Sequence, residues 1–206
     1  MRVCETFLQN RGVLLGDHGY RGDPATVEKS PAGGTVFYHY THRNKLEEIA
    51  ESGGLRARLP VLATDLTPEF EGCHFVEGLL NPYPNWFRGS YFGDLPLEMV
   101  RNVVGDYLLR VEVPCDFPGL YVVDHAHGFE CKHVIRRGST VLDIGYDCRT
   151  GHEVVRATVH SLIPAADYRG GHIAPGIQAI RKGKGITIPQ RYISVSETQP
   201  RWTKCG

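Results

Sequence analysis

Several signatures that would place a chain at once are missing from this one. Its six cysteines (Cys4, Cys73, Cys115, Cys131, Cys148 and Cys205) include no CxxC pair. No stretch approaches the roughly 20 apolar residues that a membrane helix requires, and the opening MRVCETFLQN has no apolar signal-peptide core. These absences lead us to expect a soluble, cytoplasmic chain (delivery into a target cell is compatible with it) with reduced thiols and no membrane partner. Basic and acidic residues balance at 23 each, so no net field draws the protein onto nucleic acid. Internal repeats and low-complexity tracts are also absent, which excludes solenoids and disordered linkers.

What is present suits a folded domain, since 206 residues suffice to bury a core. Residues 16–34, GDHGYRGDPATVEKSPAGG, are dense in Gly, Pro and charge and read as a loop. We therefore divide the chain into a lead-in over 1–35 and a main domain over 36–206. The first confident element is a strand from Val36 to Tyr40 in FYHYTHRNKLEEIAESGGL. Asn44 and Glu47, three apart, predict a reciprocal helix cap, Leu46, Ile49 and Ala50 an apolar stripe, and Gly53-Gly54 the stop.

Further along, 66–94 combines Gly and Pro with Phe70, Phe75, Tyr83, Trp86, Phe87, Tyr91 and Phe92, and reads as an irregular aromatic wall. Leu97, Val100, Val103 and Val104 predict a second helix ending at Gly105. YLLRVEV (107–113) alternates cleanly and predicts a strand. LYVV (120–123), KHVIR (132–136), TVLDI (140–144), EVVRATVH (153–160) and YISV (192–195) are further strand candidates. Helices early and strands late predict an α+β domain.

The strand with His39 inside YHYT, followed by NKLEEIAESGGL, resembles the first motif of the ADP-ribosyltransferase fold in its His-Tyr-Glu branch. Diphtheria toxin, the poly-ADP-ribose polymerases and the DarT-type toxins belong to that branch. The resemblance is specific over about 20 residues and elsewhere rests on order and spacing. It implies an ADP-ribosyltransferase-like split β-sandwich with short helices, holding NAD as a substrate in the cleft between sheets. In that family the strand histidine hydrogen-bonds a ribose hydroxyl, a role that suits a side chain able to donate or accept at neutral pH. Carried over, His39 positions NAD with help from Tyr40, Thr41 and Arg43. Tyr91 in RGSYFGD stacks on nicotinamide, with Phe92 beside it and Tyr83 as a substitute. Glu153, at the head of HEVVRATVHSLIP, supplies the carboxylate that stabilises an oxocarbenium-like sugar.

The implied reaction is mono-ADP-ribosylation of a macromolecular acceptor, protein or nucleic acid, as performed by toxins and effectors. Water as acceptor would make the chain an NAD glycohydrolase instead. A rival third motif is ITIPQRYIS (186–194), in which Gln190-Arg191 stands where the acid belongs. An arginine there is similar to the RNA 2′-phosphotransferases, which share the fold and use NAD. A third class of reading is a non-enzymatic module, in which Cys131, His133, Cys148 and His152 bind zinc tetrahedrally, although their spacing is not the common finger pattern. The transferase reading needs no metal.

Overall fold

The computed structural model describes residues 27–61, 68–82, 105–125, 133–137, 140–145, 151–172, 175–197 and 199. Among these described residues, twelve strands and two α-helices follow one another. The strands are β1 (Thr35–Thr41), β2 (Gly54–Ala57), β3 (Leu59–Pro60), β4 (Cys73–Leu79), β5 (Tyr107–Val113) and β6 (Leu120–Asp124). Then come β7 (His133–Arg137), β8 (Thr140–Gly145), β9 (Ile163–Pro164), β10 (Pro175–Lys182), β11 (Gly185–Pro189) and β12 (Ile193–Val195). Helix α1 spans Leu46–Glu51 and α2 spans Gly151–His160.

Eight strands form one antiparallel sheet in the order β12-β5-β1-β4-β10-β6-β9, with β3 added to β4. Two ribbons, β11-β2 and β7-β8, stand apart from it. The fold is mixed α+β, dominated by antiparallel strands with few short helices. Among the described residues no helix is long and apolar enough to cross a membrane.

Alternation divides the sheet into two faces. On one, Phe37, Leu109, Val111, Val122, Ile177 and Ala179 join Leu55, Ala57 and Ile188 of the β2-β11 ribbon in the main core. Val27, ahead of β1, is buried in the same core. On the other face, Phe75, Tyr121 and Ile180 pack with Val155, Val159 and Leu162, the stripe of α2 and its exit. Phe70 meets Tyr121 edge-on at 5.6 Å. The Ser161 hydroxyl donates to Thr158 O at 2.6 Å and accepts from Asp124 N–H at 2.9 Å, tying the helix end to β6.

Several sequence expectations are met. β5 falls on 107–113, and strands occur at each site expected between 120 and 144 and again at 193–195. Others require correction. Residues 153–160 are helix, not strand. Val155, Val159 and Leu162 recur at the spacing of one helical face, which outweighs the period of two that Val155, Ala157 and Val159 also satisfy. Strands also occur throughout the chain, so the order of helices first and strands later does not hold. The aromatic stretch conceals β4, and β10 was not expected; the two pair with each other near the centre of the sheet. The predicted helix at 97–104 lies outside the described residues.

The entry to α1 differs from the expected cap. Arg43–Lys45 form a 3-10 turn, and neither it nor α1 carries a side-chain cap. Asp106, just before β5, accepts the Arg43 N–H at 2.9 Å instead. The start is thus satisfied from across the fold, a contact local spacing does not encode. Gly53, at φ 82°, ends the helix as its residue type predicts.

Candidate functional site

β1 has unequal neighbours. All seven of its residues are registered with β5, from Thr35↔Val113 to Thr41↔Tyr107. With β4 it shares one registered pair, Tyr38↔Leu79. Beyond that point β3 takes the free side of β4, at Leu59↔Phe75 and Pro60↔His74. The sheet therefore forks at His39, and β1 leaves to form α1 before the chain returns as β2.

The one registered β1–β4 pair is Tyr38↔Leu79, and past it His39 Nδ1 lies 2.7 Å from the Glu77 carbonyl. A carbonyl oxygen only accepts, so Nδ1 carries the proton and Nε2 of the neutral ring keeps its lone pair. Burial pushes the His39 pKa below its ordinary value, opposed in part by the Glu77 backbone bond and carboxylate. The result is a neutral imidazole held in one tautomer.

His39 lines a cleft of about 210 Å³. Thr41 accompanies it from β1, Lys45, Glu48 and Ile49 come from the α1 region, and Ser52, Gly54, Leu55, Arg56 and Arg58 come from the return path. The Ser52 hydroxyl donates to Gly54 O at 3.0 Å and Ile49 O at 3.2 Å, fixing the turn. Glu48 accepts from Lys45 at 2.9 Å and also from Arg58. These two cations hold the Glu48 carboxyl down to about 2, so it stays ionised. Arg56 has no carboxylate partner among the described residues. The cleft is therefore lined by a neutral acceptor and by cationic groups, chemistry suited to a sugar hydroxyl and an anion.

The other expected site residues fall in several places. Thr41 lines the cleft. Tyr40 projects from the opposite face, where its hydroxyl donates to Pro82 O at 2.7 Å. Arg43 is exposed, with its guanidinium 5.1 Å from the centre of the Tyr107 ring. Tyr91, Phe92 and Tyr83 lie outside the described residues. Glu153 belongs to α2, whose Val155 and Val159 pack against the sheet face opposite His39. Glu153 therefore lies in a helix and not at the head of a strand. Cys131 and Cys148 of the supposed zinc set lie outside the described residues, while His133 is paired with Gly145 in the β7-β8 ribbon.

The rival segment behaves differently. β11 pairs with β2 down to Pro189↔Gly54, and Gln190 N–H donates to Gly53 O at 2.9 Å. Gly54 is at φ 143°, and a side chain there would strike the Ile188 carbonyl, so the approach requires glycine. β12 then joins the main sheet, and Val195, Leu109 and His39 stand in register across three strands. Gln190-Arg191 therefore lies beside the cleft.

Sequence reading missed Lys45, Glu48, Arg56 and Arg58. The spacing of three between Lys45 and Glu48, and the alternation of Leu55-Arg56-Ala57-Arg58, were legible signals of a charged helix face and a half-buried strand. Comparison with protein-family models, with curated proteins and with solved structures finds no match to this chain.

Proposed function

We propose that this cleft binds NAD and that the protein is an ADP-ribosyltransferase of the split-sheet type, transferring ADP-ribose to a macromolecular acceptor as toxins and effectors of that kind do. The observation that carries the reading is His39. It is neutral, locked in the Nδ1–H tautomer by the Glu77 carbonyl, and set in a cleft at the point where the sheet forks. Its Nε2 is suited to accept a hydrogen bond from a ribose hydroxyl. Arg56, with Lys45 and Arg58 nearby, suits the diphosphate. At about 210 Å³ the cleft is below the roughly 300–1,000 Å³ usual for small-molecule sites, so it takes one end of the dinucleotide rather than all of it.

Loss of nicotinamide leaves positive charge on the sugar, which a fixed negative group would stabilise. Glu153 is the residue the resemblance offers for that role, carried on α2. Gln190-Arg191 supports a second reading, in which the acceptor is a 2′-phosphate on RNA, as in the RNA 2′-phosphotransferases. The segment that the resemblance reserves for an acid, Gln190-Arg191, then carries a cation, Arg191, suited to an anionic acceptor. Both readings begin with release of nicotinamide.

One experiment separates the classes. Protein is incubated with adenylate-labelled NAD and a lysate, and the labelled product is digested separately with nuclease and protease. Label lost to protease identifies protein acceptors, and label lost to nuclease identifies nucleic acid. Nicotinamide release without label transfer identifies a glycohydrolase. Neither release nor NAD binding by calorimetry would end the NAD reading.

A further inference from the structure

Behind His39, on the other face of the sheet, lies a contact that the cleft does not use. His125 follows β6, and its Nε2 lies 3.1 Å from Glu77 Oε1 on β4. The intervening strand is β10, and the ring crosses it at Gly176. A methyl group at Gly176 would collide with the His125 ring, so the crossing exists because that position has no side chain. The His125 side chain is only 16% exposed.

Glu77 is an unusual strand residue. It is registered with Gln178 of β10, yet its carbonyl points away from β10, toward β1. It is therefore the non-hydrogen-bonded member of the ladder on that side. At the fork Glu77 is in no registered pair with β1 among the described residues, and its carbonyl meets the His39 ring instead. The Glu77 side chain is held separately, through the contact with His125.

We propose that His125 is a positioning residue for His39. By holding Glu77 from the far face, it sets the Glu77 carbonyl that selects the His39 tautomer. The charged groups lining the cleft with His39 are Lys45 and Glu48 from the α1 region, Arg56 from β2 and Arg58 from the step into β3. The Glu77 carboxylate also acts on His39, from β4. Among these groups, Glu77 alone hydrogen-bonds the ring. A substitution on one face of the sheet should therefore be felt as a proton position on the other.

The proposal rests on the NAD reading only for its effect on rate, because the tautomer can be read without NAD. NMR of nitrogen-labelled histidine reports which ring nitrogen of His39 bears the proton. The full chain is expected to show the Nδ1–H form alone. His125→Phe keeps a ring across Gly176 but removes the N–H, and should give a mixture of tautomers. His125→Gln restores a donor to the carboxylate and should recover the single form. Glu77→Gln keeps both the carbonyl and an acceptor for His125 but removes a charge that raises the His39 pKa. It should lower the His39 titration midpoint without changing the tautomer.

With NAD present, His125→Phe should lower kcat for nicotinamide release about tenfold and leave KM nearly unchanged. A single, unaltered His39 tautomer in folded His125→Phe overturns the proposal. If no variant or parent consumes NAD, the functional reading fails and the ring spectrum still decides this one.

Discussion

Along one edge β1 is zipped to β5 through its whole length; along the other it meets β4 at Tyr38↔Leu79 and departs. The zipped side is core, with Phe37, Leu109, Val111 and Val113 almost fully buried. The forked side carries a polar ring, a strand carbonyl bonded to that ring, and a cleft. The difference teaches that the site is made where sheet pairing stops. A histidine on the zipped side would find every nearby backbone group already bonded. One residue past the divergence, it meets the Glu77 carbonyl and has a cleft in front of it.

This contrast can be broken first from the zipped side. Phe37→Ala removes a fully buried ring and should cost about 3–5 kcal/mol, visible as a large fall in the urea midpoint. On the forked side, His39→Ala should lower nicotinamide release roughly a hundredfold, while unfolding shifts by only about 1 kcal/mol for the lost Glu77 bond. A comparable loss of stability from both variants would mean that the two sides do not differ as described.

A smaller effect is expected at the β5 terminus. The Gln199 amide accepts from Leu108 N–H at 3.1 Å and donates to Leu108 O at 3.0 Å, beside the Ser196 N–H bond to the same carbonyl. Gln199→Ala should cost about 1–2 kcal/mol and speed hydrogen exchange at Leu108, without altering His39.

The pH dependence follows from His39. Its folded pKa lies below the ordinary 6.5, so the unfolded chain takes up that proton more readily. The His39 contribution is fully present above 6.5 and is lost as pH falls from there toward the folded value. Urea unfolding of parent and His39→Gln over that range checks it, and the parent should show the steeper loss toward acid. Smallest of all, Glu153→Gln should leave nicotinamide release within about twofold of the parent, since α2 packs on the other face. A loss comparable to that of His39→Ala would restore Glu153 to the site.

Much of this was legible in the sequence, because local signals govern local structure. The alternation of Leu109, Val111 and Val113 fixed β5, and Gly53 marked the end of α1. β4 was not legible because Glu77 and Gly78 interrupt its apolar pattern amid Gly, Pro and aromatic residues. β10 opens on Pro175-Gly176, which reads as a turn, although the strand then runs through the sheet centre. His39 was identified by its setting in a short motif, but its partner could not be. Glu77 contributes a backbone carbonyl, which has no residue-type signature. The segment that carries Glu153 was misread as a strand for a physical reason, since a spacing of four satisfies both a strand and a helix. Asp106, the group that receives Arg43 N–H, is joined to it only by the completed fold.

The Gln199 side chain has a consequence at a different scale. β12 is registered with β5 only from Val111 to Leu109, and the Leu108 peptide would otherwise present its N–H beside a carbonyl held by Ser196 N–H alone at the margin of the sheet. Such a margin is a template on which another chain can add a strand. By engaging both groups, the single amide occupies the place that an intruding peptide would need. It thus discourages the molecule from polymerising through its own β-structure.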